Sequence, residues 1–135
     1  MDNKRDFLND LVQKNMLNVD EDIFKTKMGG KNMAFITRTG IEKIQYNNNI
    51  KVRYEVEKME LNYVYLKAIA TKDDLVVETF GESTPENTRQ KPPYHSAMAE
   101  KRALARAVLK ICGASKHGVF GEDEAETFQK ETFQK

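Results

Sequence analysis

The sequence predicts an α+β domain in which a β-hairpin and a short helix precede a three-stranded antiparallel sheet packed against one long helix, a β-β-β-α core. Three observations lead there. Residues 50–58, IKVRYEVEK, alternate: Ile50, Val52, Tyr54 and Val56 share one face, and Lys51, Arg53, Glu55 and Glu57 the other. Such a period of two marks a strand with one wet face. YVYLKAIAT and DLVVETFGE continue in β-branched and aromatic residues, with breaks near ELN and KDD short enough for hairpin turns. From about Ser96 to Cys112 the pattern becomes helical and rich in alanine.

The other elements follow in order. Residues 4–14 place Phe7, Leu8, Leu11 and Val12 on one side of a short amphipathic helix, and a polar connection, NVDED, follows it. Gly29 and Gly30 lie between two short mixed segments, and paired glycines reach positive φ cheaply, so this reads as a hairpin with its tip at the glycines. TGIEKIQYNNN reads as a short helix ending in asparagines, which tolerate the left-handed conformation. Residues 83–94 hold all three prolines and cannot continue a strand. The long helix is expected to cover the dry face of the sheet with Leu104, Val108 and Ile111, and Gly113 is its natural stop. The chain closes on an acidic stretch, GEDEAE, and a duplicated ETFQK that is too short to build a repeat architecture.

Composition bounds the function. The 135 residues suffice for one core rather than two. A net charge of +1 means that affinity for a polyanion must come from how charge is arranged. A single cysteine, Cys112, cannot form an internal disulfide or a cysteine zinc site, and it reads as a small core residue. No apolar run approaches the length of about 18 residues that a membrane span needs. MDNKRDFLNDLVQKN is polar and amphipathic rather than a signal peptide, which fits a reducing cytoplasm.

Charge is arranged unevenly. Arg102, Arg106 and Lys110 recur at intervals of four on the last helix, a row of one sign. Such residues are good helix formers and often only solvate a surface. A face built for solubility would alternate signs, however, because like charges at i,i+4 repel. Arg89 and Lys91 in the proline loop and Lys25, Lys27 and Lys31 in the hairpin add the same sign from other segments. The combination points to an anionic partner, of which a phosphate backbone is the commonest.

At these residues the chain resembles the single-strand annealing proteins, the superfamily of Rad-fifty-two-like recombination mediators and many phage recombinases. One part of the resemblance is KTKMGGKNMAFITRTGIEKI: a basic residue, a methionine and glycines at a hairpin tip, then a glycine opening a short helix, here Lys27, Met28, Gly29, Gly30 and Gly40. The other is MAEKRALARAVLKICG, an alanine-rich helix with Arg106, Lys110, Cys112 and Gly113, in a form closer to phage-encoded members. It covers residues 22–120, which implies an N-terminal helix and connection in 1–21, an annealing domain in 22–120 and an acidic, flexible tail in 121–135.

The resemblance implies a non-enzymatic protein without cofactor that acts in recombination and repair. It would bind single-stranded DNA as a homo-oligomeric ring or helical filament, with a single-strand binding protein as a candidate further partner. A phage-encoded member would act in the cytoplasm of its bacterial host. Lys27 stands where the family has a basic hairpin residue on the strand's backbone, and Arg106 and Lys110 where it has basic helix residues beneath the strand. Lys31, Arg102, Arg89, Lys91 and Arg53 complete the cations expected around the groove. Ala107 replaces a residue that is basic in the eukaryotic protein and Thr37 one that is aromatic there, which leaves an electrostatic contact as the expectation.

Two other classes compete. A small metal-dependent nuclease would gather carboxylates, and Asp73, Asp74, Glu78 and Glu82 are the candidates. Asp73 and Asp74 read as turn residues and Glu78 and Glu82 as wet-face residues, while His95 and His117 lack the spacing of a triad or zinc site. MGGKN is not a nucleotide-binding loop, because the first glycine and the following Ser or Thr are missing. The last class is an adaptor that binds protein through GEDEAE.

Overall fold

Two small three-stranded sheets share one long helix between them. The computed structural model describes residues 3–28, 31–88, 94–122 and 124, with the backbone alone for residues 3–5, 26–28, 31, 32 and 115. Along the chain run α1 (Asn3–Asn15), β1 (Ile23–Met28), β2 (Lys31–Ile36), α2 (Arg38–Asn47), β3 (Lys51–Glu60), β4 (Tyr63–Lys72), β5 (Leu75–Ser83), α3 (His95–Ile111), a 3-10 turn (Ser115–His117) and β6 (Val119–Gly121). The order expected from the sequence is therefore present, with β6 and the 3-10 turn added. The glycine tip, Pro92, Pro93 and the ETFQK duplication lie outside the described residues. Among the described residues no helix is long and apolar enough to cross a membrane.

The larger sheet is the antiparallel meander β3-β4-β5. A bulge between Val56 and Lys58 resets the alternation, so that Lys58 pairs with Tyr65 and Met59 with Val64. Val56 keeps the inward side of the register but is 58% exposed, because α3 packs mainly over β4 and β5. Asp73 takes φ +53° in the turn joining β4 to β5.

Alanine makes the helix-to-sheet contact close. Ala99, Ala103 and Ala107 repeat every four residues and are fully buried. A Cβ added at Gly81 of β5 would come within 2.3 Å of the Ala99 carbonyl oxygen and 2.5 Å of the Ala103 nitrogen. The expected stripe is thus corrected in one member. Val108 and Ile111 are buried, but Leu104 is only partly buried and lines a crevice with Ile36 and Ile41, towards α2 and β2. The helix ends as a Schellman motif: Gly113 at φ +76° donates to the Lys110 carbonyl and Ala114 to that of Leu109.

The smaller sheet has the order β1-β2-β6, and β6 runs parallel to β2. Gly121 of β6 sits against Ala105 of α3, so the hairpin is tied to the helix through β6. Phe7 of α1 stacks on His117, with ring centroids 4.4 Å apart. Thr37 caps α2, its hydroxyl accepting from the Gly40 amide, and Asn49 follows the helix at φ +52°, the left-handed asparagine that the sequence suggests.

Asp22 is the polar hub of this half. Its carboxylate is 1% exposed and accepts from Lys43 Nζ at 2.6 Å, the Asn18 amide at 2.8 Å and the Thr39 hydroxyl at 2.9 Å. Burial raises the carboxyl's pKa, but these donors and the Lys43 charge outweigh it and hold it below its ordinary value. A lowered folded-state pKa stabilises the fold above the unfolded value of 3.8, and that stabilisation is lost as pH falls through the folded-state pKa. Asp22→Asn should therefore cost about 1–3 kcal/mol at pH 7 in urea denaturation and flatten the loss of stability below about pH 4. Gly81→Ala should cost about 1–3 kcal/mol, since the helix backbone must move, and an unchanged urea midpoint would contradict the close approach.

Candidate nucleic-acid interface

The row of cations on α3 does not face one medium. Arg102 is only 6% exposed, a correction to the open groove wall expected from its spacing. One terminal nitrogen of its guanidinium donates to the Glu82 carbonyl at 2.8 Å, to Asn87 Oδ1 at 3.0 Å and to Thr88 Oγ1 at 3.2 Å. The other reaches the Asn87 carbonyl at 2.6 Å. Arg102 thus fastens residues 84–88 to the helix.

Arg106 holds the same strand one step back, donating from NH1 to the Phe80 carbonyl at 2.7 Å. The pairing of partners is geometric. Four helical residues rise about 6 Å, and two strand residues rise about 6.8 Å. Arginines at i and i+4 therefore match carbonyls at j and j−2 on the free edge of β5, and Thr79 returns a bond by donating to the Ala103 carbonyl at 2.9 Å. The remaining edge of Arg106 is turned outward: Nε and NH2 both reach Glu124 Oε1, at 2.7 and 2.6 Å. Lys110, in the last turn of α3, is exposed and makes no ion pair among the described residues.

The other expected cations are scattered. Lys27 pairs in register with Asn32 and Lys31 with Met28, which puts both beside the hairpin connection; their side chains are outside the described residues, as are Arg89 and Lys91 altogether. Arg53 lies on the face of the larger sheet away from α3 and is bonded to Glu55 at 2.9 Å. On that face Lys67 is held by Glu55 at 3.2 Å, Glu78 at 3.3 Å and Glu57 at 3.9 Å, and the bonds to Glu55 and Glu78 raise its pKa. Arg53 is therefore separated from the α3 cations by the thickness of the sheet.

The nuclease candidates do not converge. Asp73 and Asp74 occupy the β4–β5 turn, Glu78 is engaged by Lys67, and Glu82 accepts from the Tyr63 hydroxyl at 3.0 Å. Among the described residues no group of three or more His, Cys, Asp or Glu is placed to hold a metal ion. Cys112 is only partly buried, packed against the core rather than within it, and that burial pushes its thiol up.

Two arrangements escaped the sequence. His95 Nδ1 lies 2.7 Å from the Ser83 hydroxyl, which also meets Thr88, so the histidine has a partner after all. Ser83 is fully buried, and the pair serves to close the loop before α3. The acidic stretch also returns onto the helix, Glu122 to Lys101 at 3.2 Å and Glu124 to Arg106. A polar cluster such as ENT beside an arginine, or opposite charges on neighbouring segments, is the only sequence signal for either, and it carries no pairing information. Comparison with protein-family models, curated proteins and solved structures finds no match to this chain.

The clamp sets a clear contrast. Arg102→Ala should cost at least about 2 kcal/mol, since it orphans one buried and three part-buried acceptors, while Lys110→Ala should change stability by less than about 0.5 kcal/mol. Equal urea midpoints for the two variants would mean that Arg102 does not hold the loop.

Proposed function

We propose that the chain is a single-stranded DNA-binding and annealing protein that acts in recombination as a homo-oligomer, contacting the phosphate backbone. The observation that carries this reading is the state of Arg106. Its NH1 is pinned to Phe80, its Nε and NH2 edge already holds an anion, and Lys110 follows one turn on along the same helix. That guanidinium edge is the one that grips phosphates with two parallel bonds. The hairpin carrying Lys27 and Lys31 joins the same body through β6, in keeping with the family it resembles.

The mechanism needs no bond to break. Backbone contacts give affinity without reading sequence and leave bases free to test a complementary strand. A few cations per subunit make a weak site, and repeating it around an assembly multiplies affinity through effective concentration. The edges of the larger sheet support assembly unequally. Carbonyls of β5 are capped by Arg102 and Arg106, whereas among the described residues β3 pairs only with β4 and exposes Val56, Met59 and nearby Leu61. An uncapped apolar edge is a site for a neighbour.

Titrating a fluorescent single strand at several salt concentrations tests the reading. Each phosphate contact adds about 0.7 to the slope of log affinity against log salt, so Arg106→Gln with Lys110→Gln should flatten it by roughly one unit for every sequence alike. Unchanged affinity and slope, with unaltered circular dichroism, would remove the helix from the interface. The wild type should also speed pairing of labelled complementary oligonucleotides without added nucleotide, and light scattering should show an assembly well above a dimer. A monomer with and without DNA would overturn the assembly.

A further inference from the structure

We propose that the acidic stretch after β6 is a built-in cover for the Arg106 anion site, with Glu124 occupying the position of a backbone phosphate. This rests on the DNA-binding reading above and specifies how that site is regulated.

The stretch is anchored at Glu122. Glu122 continues the β2–β6 pairing by donating its amide to the Ile36 carbonyl at 2.9 Å. Its carboxylate accepts from the Arg38 amide at 3.0 Å, at the N-terminus of α2 where a negative charge is favoured, and from Lys101. Two residues later Glu124 meets the outward edge of Arg106 through a single oxygen. Because NH1 is held by Phe80, the guanidinium stays oriented whether or not Glu124 is present. An incoming phosphate would therefore exchange with a carboxylate on a preset receptor.

The contact is suited to exchange. The side chains of Arg106 and Glu124 are 39% and 18% exposed, so the pair is only partly screened, yet it stays at the surface end of the ion-pair range, about a fivefold change in an equilibrium. A lone anion gains hardly anything by displacing Glu124. A strand gains more, since its neighbouring phosphates also reach Lys110 and the sites of adjoining subunits. The cover thus favours polyanions over single anions.

Glu124→Gln in the full chain, titrated with fluorescent oligodeoxythymidylate at low salt, should bind about two- to fivefold more tightly than wild type. Glu124→Asp, which keeps the charge, should show less of the gain. In an Arg106→Gln background the effect of Glu124→Gln should disappear. If wild type binds and Glu124→Gln binds equally, the cover is wrong and the proposed function stands. A gain that survives in the Arg106→Gln background would reduce the effect to general charge and overturn the specific contact. If neither protein binds the strand at low salt, the DNA reading falls and the cover with it. Circular dichroism of each variant confirms that the comparison is between folded proteins.

Discussion

The closeness of α3 to β5 is the constraint on which the rest depends. Gly81 lets the strand touch the helix backbone, and Ala99 and Ala103 on the facing side keep it there. At that distance arginine side chains one turn apart reach the free carbonyls of β5, while Thr79 bonds back to the helix. A leucine in place of either alanine would lift the helix by more than a hydrogen bond tolerates. The seam then fixes three things together: the loop of residues 84–88, held by Arg102; the sealed edge of β5; and the outward aim of Arg106.

A helix that spends one side on the larger sheet needs cover on another, which β6 supplies. It is three residues long and could not stand alone, yet it bridges the hairpin to α3 by pairing with β2 and packing Gly121 on Ala105. Asp22 fixes the same end of that sheet from its β1 edge, joining the residues before β1 to the first turns of α2 through Asn18, Thr39 and Lys43. Gly40 belongs to this joint, since a Cβ there would come within 2.6 Å of the Ile36 side chain. The glycine that opens the short helix is thus explained by packing.

What the sequence made legible was local. The alternation of IKVRYEVEK, the short breaks at residues 60–62 and 72–74 and the glycine stop after Cys112 each state their structure within a few residues, and each element is where that reading puts it. The bulge after Val56 was not legible, because an extra residue leaves composition unchanged. Nor was β6, whose three residues VFG become a strand only through a partner some 85 positions earlier. The cation row shows the limit most clearly. Spacing put Arg102, Arg106 and Lys110 on one helix flank, but the same spacing serves solvent, phosphate or the carbonyls of a neighbouring strand. The three residues divide among such roles according to how near β5 comes: Arg102 inside the seam, Arg106 at its rim and Lys110 beyond it.

That gradation bears on how a nearly neutral chain could present a basic surface. On the outer face of the larger sheet the named cations are all paired, with Lys67 among three glutamates, Arg53 on Glu55 and Lys58 near Glu60. Charges paired this closely cancel within a Debye length of about 10 Å and project little field. Along α3 the balance is of another kind, since carboxylates of the segment after β6 reach Lys101 and Arg106. Positive potential on that flank therefore depends on where one short acidic segment lies. Net charge alone carries no information about such a surface, because losing the Glu124 contact would uncover Arg106 beside Lys110 without changing the sum.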